Sequence, residues 1–202
     1  MISAIVLAAG EAKRMGQMKL LLPWQGKTLL EHVLDQVLQA QVNEVILVLG
    51  HEAERIRGKI SAANLKIVIN PSYKEGMSAS LRQGVAAMDE KTEAFFVVLG
   101  DQPGIRKEII NQLIEAFHHI LPKKNIVLPV YRSVPGHPVL FGVRYRKEME
   151  KLKGDVGGRQ ILADHPGDIL QLAIETDEVP QDIDTPEDYR KQLERKEPGR
   201  IG

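Results

Sequence analysis

The chain has 202 residues, and its 27 Lys and Arg are matched by 27 Asp and Glu, so bulk attraction to nucleic acid or to an anionic membrane is not indicated. The absence of cysteine excludes disulfides, thiolate nucleophiles and thiolate zinc sites and fits a cytoplasmic protein. The first apolar run is short and lacks a basic leader, and no stretch approaches a membrane span, so neither a signal peptide nor a membrane anchor is expected.

Along the chain, apolar β-branched runs alternate with helical patterns. Strands are expected at Ile2–Leu7, Glu44–Leu49, Lys66–Ile69, Phe95–Leu99, Asn125–Val130, Pro138–Phe141 and Ile169–Ala173. Between the first two, the helix Leu29–Ala40 carries Leu29, Leu30, Val33, Leu34, Val37 and Leu38 on one face, with Thr28 and Glu31 as a capping box. A second clear helix runs from about Arg106 to His119, with Ile109, Ile110, Leu113, Ile114 and Phe117 inward. Other helices are expected to begin near Ala53, Ser78, Arg144, Gly157 and Pro186. This alternation predicts an α/β fold: a three-layer, mostly parallel, doubly wound sheet with helices on both faces. The closely spaced strands Asn125–Val130 and Pro138–Phe141 predict a small β-hairpin excursion over the sheet. Residues 1–195 read as one domain, and the polar, Pro/Gly-containing stretch 196–202 as a loose tail.

The N-terminal segment carries the most chemistry. The apolar run ends in Ala8-Ala9-Gly10 and opens into a loop with Lys13, Arg14 and Lys19. A buried strand that delivers backbone amides and several cations is suited to polyphosphate. The loop is not a Walker loop, because no Gly-Lys-Ser/Thr follows at the right spacing, and Gly-x-Gly-x-x-Gly is absent. Ligands of open α/β sheets sit beyond the carboxyl ends of the strands. This loop, the 70–80 loop after the third strand and Gly100-Asp101 after the fourth all lie at such ends.

Asp101 follows the continuous apolar run Phe95–Leu99, a central strand by its composition. A carboxylate at that edge can bind Mg²⁺, which takes one or two carboxylates and completes its shell with phosphate oxygens and water; it can also cap the next helix. Thr185-Pro186-Glu187-Asp188 is a good helix start, which leaves Asp182 and Asp184 unexplained. Ser78 is most simply an N-cap, with Leu81, Val85 and Met88 inward. Gly157-Gly158-Arg159 offers flexible amides and a cation for a second anion, or a helix-start turn with a surface Arg. His137, between Gly136 and Pro138, is either a substrate contact or a structural loop histidine. His118-His119 at a helix end reads as a dipole partner, and His51-Glu52-x-x-Arg55 lacks the second His of a zinc protease helix.

The segment Leu7-Ala8-Ala9-Gly10 through Arg14-Met15-Gly16 to Lys19 resembles the nucleotidyltransferase signature Leu-x-Ala-Gly-x-Ser-x-Arg-Met-Gly-x-x-Lys, and more narrowly that of the MobA-like branch that handles the molybdenum cofactor. Gly76–Leu81, Gly100–Pro103, Gly136–Phe141, Gly154–Arg159 and Asp182–Asp188 are similar to that branch's later motifs, in the same order. Ala12 stands where the family usually has Ser, so a hydroxyl contact to phosphate is missing.

The resemblance implies a nucleotide-diphospho-sugar transferase (GT-A-like) fold. It implies transfer of a nucleotide from an NTP to the phosphate of molybdopterin, with release of pyrophosphate, in support of a molybdenum hydroxylase such as a xanthine dehydrogenase. By the same resemblance, Leu7, Ala8, Ala9, Gly10, Gly76, Ser78 and Ser80 bind the nucleotide, and Arg14 and Lys19 grip its phosphates; Lys13 reads as a solvated cation. Asp101 and Asp184 hold Mg²⁺ (or Mn²⁺), with Asp182 the lesser candidate. His137, Gly157, Gly158 and Arg159 fall to the acceptor. Ala9, where guanylyl-transferring relatives tend to have Gly, favours the smaller pyrimidine and hence CTP. An acceptor phosphate with a second pKa near ~6 is already anionic and needs no general base. Alternatives are a cytidylyltransferase for an isoprenoid or sugar phosphate, and a non-catalytic chaperone that hands the finished cofactor to a hydroxylase.

Overall fold

The computed structural model describes residues 1–11, 15, 18–62, 64–176 and 183–196. Its centre is β1 (Ile2–Ala8), whose seven residues are all buried, as a strand covered on both faces requires. β4 (Glu44–Leu49) and β6 (Ala94–Leu99) flank it in parallel, with Val6 opposite both Leu47 and Val98. Between β1 and β4 come a miniature hairpin, β2 (Pro23–Trp24) with β3 (Lys27–Thr28), and helix α1 (Leu29–Leu38). α2 (Ala53–Arg57) leads to β5 (Leu65–Ile69), which pairs in parallel outside β4.

The remaining elements are α3 (Met77–Ala87), α4 (Lys107–Ile120), β7 (Ile126–Tyr131), β8 (Val134–Pro135), β9 (Val139–Gly142), α5 (Arg146–Met149), α6 (Arg159–Asp164), β10 (Ile169–Ala173) and α7 (Pro186–Lys196). The sheet runs β10-β7-β9-β6-β1-β4-β5, with β8 folded back on β7. The pair expected as an excursion over the sheet lies within it. β9 sits between β6 and β7 and is antiparallel to both, because its two apolar faces complete both core layers. The excursion proper is β8, reached through Arg132 and Ser133 at φ 47° and 67°, the left-handed pair a tight hairpin favours.

Alternation along β1 sorts the layers. Ala4, Val6 and Ala8 face α1 and α4, whereas Ile5 and Leu7 face α3, α5 and α6. The α1 capping box forms as expected: the Glu31 N–H donates to Thr28 Oγ1 at 3.2 Å, and the Thr28 N–H to the Glu31 carboxylate at 2.9 Å. In α4, Ile109, Ile110, Leu113, Ile114 and Phe117 are all buried.

One capping expectation is corrected. Ser78 does not cap α3; it is fully buried within the first turn, and the residue before the helix is Gly76, at φ 103°. The cap comes from across the fold: Asp155 Oδ1 accepts from the Met77 N–H at 3.2 Å. Ser78 Oγ instead accepts from Arg82 Nη1 at 3.3 Å. The helix expected near Gly157 starts at Arg159. Lys196, expected to open the tail, ends α7, and residues 197–202 lie outside the described residues, as do Ala12, Lys13, Arg14 and Asp182. No helix among the described residues is long and apolar enough to cross a membrane.

Candidate active site

The carboxyl ends of β1, β4, β5 and β6 open into one cleft of about 1090 Å³. Leu7, Ala8, Ala9, Gly10, Lys19, Gly76, Ser80, Asp101 and Asp184 all border it. The site therefore lies where the strand order reverses around β1, the usual ligand position in such sheets.

Three of these residues form a charged centre. Lys19 opens a single helical turn, Lys19–Leu21, pinned by buried Leu20. Its Nζ contacts the Asp101 carboxylate directly, lies 3.1 Å from Asp184 Oδ1 and donates to the Ile183 carbonyl at 3.0 Å. The three side chains are 13%, 21% and 32% exposed, so their charges meet in a partly desolvated setting. Burial alone would depress the ammonium, but the charges of and hydrogen bonds to Asp101 and Asp184 outweigh it and hold Lys19 above its ordinary range. Both carboxylates reach one common point, now held by the ammonium. That is the donor set a hard divalent cation accepts when phosphate and water supply the rest, so the residues fit Mg²⁺ or Mn²⁺.

The second carboxylate is placed by its neighbours. Thr185 and Asp188 form a reciprocal cap on α7, with the Asp188 N–H donating to Thr185 Oγ1 at 3.1 Å and the Thr185 N–H to Asp188 Oδ2 at 2.9 Å. The Thr185 hydroxyl also donates to Asp188 Oδ2, at 2.7 Å, and that hydrogen bond does most to hold Asp188 below the ordinary carboxylate range. Tyr189, in the next position, packs on Trp24 and donates to the Pro23 carbonyl, tying α7 to the β2–β3 hairpin. The Ile183 N–H meets the Asp101 carbonyl at 3.4 Å, which aligns the two acidic segments.

The opposite wall is the 70–80 loop. Buried Asn70 donates to Ser80 Oγ at 3.0 Å and accepts from the Ser72 N–H at 2.9 Å, so the loop and α3 are locked together. A Cβ on Gly76 would come within 2.6 Å of the Gly154 carbonyl carbon and oxygen, and the Ser78 N–H donates to that oxygen at 3.3 Å. Arg82 completes the junction through Ser78, the Leu152 carbonyl at 2.6 Å and Glu75 at 3.3 Å. Near β1, a Cβ on Gly50 would sit 2.8 Å from that of Ala9 and 2.6 Å from that of Tyr73, so Ala9 and Tyr73 close on Gly50 and leave no room for a side chain there.

The expected acceptor residues are placed differently. His137 is half-buried before β9, and Arg159 is exposed at the start of α6; neither borders the cleft, nor do Gly157, Gly158 and buried Ser78. Gly157 and Gly158 serve close packing, since added Cβ atoms would fall 2.6 Å from Met77 Sδ and 2.9 Å from the Phe141 ring. Of that motif, Asp155 reaches the cleft. Asp155 was within reach of the motif reading; Arg82, a polar residue on a helix, carries no sequence signal for its role. His118 and His119 lie at the end of α4, and no group of three or more His, Cys, Asp or Glu able to hold a metal occurs among the described residues.

The MobA-like NTP transferase domain pattern matches residues 4–169. The chain is 31% identical to the molybdenum cofactor cytidylyltransferase of Escherichia coli K12, over 96% of each protein. It is 28% identical to nicotine blue oxidoreductase of Paenarthrobacter nicotinovorans, over 95% of this chain and 96% of the relative. Among solved structures, Rv0371c of Mycobacterium tuberculosis H37Rv in complex with manganese superposes with a TM-score of 0.82 at 30% identity, covering 96% of this chain and 98% of the other.

Proposed function

The chain belongs to the MobA-like NTP transferase family, and from that membership we propose that it moves CMP from CTP to the terminal phosphate of molybdopterin, releasing pyrophosphate. The observation that supports this best is the Lys19–Asp101–Asp184 centre in the lining of the cleft of about 1090 Å³. Leu7 to Gly10 bring backbone to the nucleotide, while Gly76 and Ser80 shape the opposite wall, with Ser78 acting through its bond to Arg82. Lys19 turns to the departing pyrophosphate, joined by Arg14 from outside the described residues. Asp101 and Asp184 are the carboxylates for Mg²⁺ (Mn²⁺ also fits), and a bound ion there would supply charge neutralisation on phosphate oxygens. The acceptor phosphate is already anionic, so the chain's work is alignment and charge stabilisation rather than proton abstraction.

The acceptor approaches over the Gly154–Arg159 segment, whose Asp155 borders the cleft; Arg159, Gly157, Gly158 and His137 serve an acceptor that extends past the cleft wall. Ala9, 6% exposed and closed in by Gly50, narrows the base side and favours a pyrimidine. The product would serve a molybdenum hydroxylase such as a xanthine dehydrogenase. The test is transfer of ³²P from α-labelled CTP or GTP to molybdopterin. Label moving from CTP supports the reading. Label moving only from GTP overturns the base assignment, and label reaching an isoprenoid or sugar phosphate instead overturns the acceptor.

A further inference from the structure

Lys19 fills the point that both carboxylates face. Its Nζ is held by Asp101, by Asp184 at 3.1 Å and by the Ile183 carbonyl at 3.0 Å, an all-oxygen surround of two negative charges and a carbonyl. That surround suits a hard divalent cation, and an ammonium on a flexible stem is a weaker version of the same charge. The backbone of Lys19 is anchored by buried Leu20, and rotation about the bonds of a four-carbon stem redirects the ammonium without moving the turn.

We propose that Lys19 is a resident surrogate cation, filling the divalent-ion position until a nucleoside triphosphate offers the ammonium a stronger anion, so that metal and nucleotide bind together rather than separately. The proposal rests on the nucleotidyl-transfer reading above. A divalent ion arriving alone must displace Lys19 from two carboxylates and leave a partly buried ammonium without an anion. An ion arriving with a triphosphate faces no such penalty, because the phosphates take Lys19 and the carboxylates are released. Two cations sharing the same carboxylates at a few ångströms repel strongly in a partly desolvated site, which makes the alternatives mutually exclusive.

The test is Mn²⁺ binding, read by electron paramagnetic resonance, for the wild type and Lys19→Met, each with and without CTP. In the wild type, CTP should tighten Mn²⁺ binding by about tenfold or more; without nucleotide, Lys19→Met should bind Mn²⁺ about tenfold tighter than the wild type and gain little from CTP. Because the variant removes the ammonium from between the two carboxylates, both proteins are also melted with and without Mg²⁺. Mg²⁺ should raise the Tm of Lys19→Met more than that of the wild type, and should restore the fold if the variant is unfolded without it. Equal Mn²⁺ affinities without nucleotide, equal Mg²⁺ shifts, or a variant that Mg²⁺ does not restore would each overturn the proposal. Label transfer by the wild type is measured separately. Transfer without the predicted gain removes the surrogate role and keeps the function; the gain without transfer removes the function and keeps the surrogate.

Discussion

Asp101→Asn should separate what this carboxylate does for the fold from what it does for the reaction. The substitution keeps the shape of the side chain and one carbonyl oxygen but removes a charge. In the structure that charge pairs with Lys19, which retains Asp184 Oδ1 at 3.1 Å and the Ile183 carbonyl at 3.0 Å, so no ammonium is stranded. Asp101 sits beyond the end of β6 with its side chain 21% exposed, so no cavity opens. Loss of one charge-assisted contact in this partly solvated setting should cost about 1–2 kcal/mol, which lowers Tm by roughly 2–8 °C for a chain of this size. Turnover should fall much further. If Asp101 is the principal metal carboxylate, the transition state loses charge stabilisation worth about 10²–10³-fold or more in kcat. Urea denaturation with an unchanged m-value would verify the fold, and pyrophosphate release across a Mg²⁺ series would measure the reaction. An Asp101→Asn enzyme with near-normal turnover and the same Mg²⁺ dependence would refute the assignment. Asp184→Asn should be milder, because Asp184 is more exposed and its segment stays ordered by the Thr185–Asp188 cap.

Gly76→Ala places a Cβ against backbone atoms of Gly154 and Asp155 at 2.6–2.7 Å and at φ 103°, where only glycine is at ease; thermal melts should show a loss of about 3 kcal/mol, and a loss near zero would mean the two loops separate freely. Tyr145 donates to Asp168, and burial together with that carboxylate pushes its hydroxyl up to about 12 from the ordinary 10.0. Its contribution is therefore complete below pH 10 and fades as pH rises towards 12, so denaturant melts should show the wild type's advantage over Tyr145→Phe shrinking across that window; a gap that stays constant would contradict the hydrogen bond. Arg159→Ala should raise the acceptor KM about tenfold and leave CTP affinity nearly unchanged by calorimetry; equal weakening of CTP would move Arg159 to the nucleotide side.

Much of the fold was legible in residue order, because the signals involved are local. The faces of α1 and α4 repeat with the helical period, β6 is an unbroken apolar run and β1 is one from Ala4 to Ala8, and the capping boxes at Thr28–Glu31 and Thr185–Asp188 join residues three apart. The cluster of ligand-facing loops was legible as well, since every parallel strand sends its carboxyl end to the same edge. What required the tertiary structure is whatever depends on contacts between distant segments. The cap of α3 comes from Asp155, 78 residues away, and Lys19 meets Asp184 across 165 residues. The position of β9 inside the sheet was decided by the need to fill both core layers, which spacing alone cannot express. The family resemblance assigns Asp101 and Asp184 to one metal and Lys19 to the phosphates, with no contact between the ammonium and the carboxylates. Only folding brought the three to one point, where Coulomb attraction in a partly desolvated cleft makes each the others' partner.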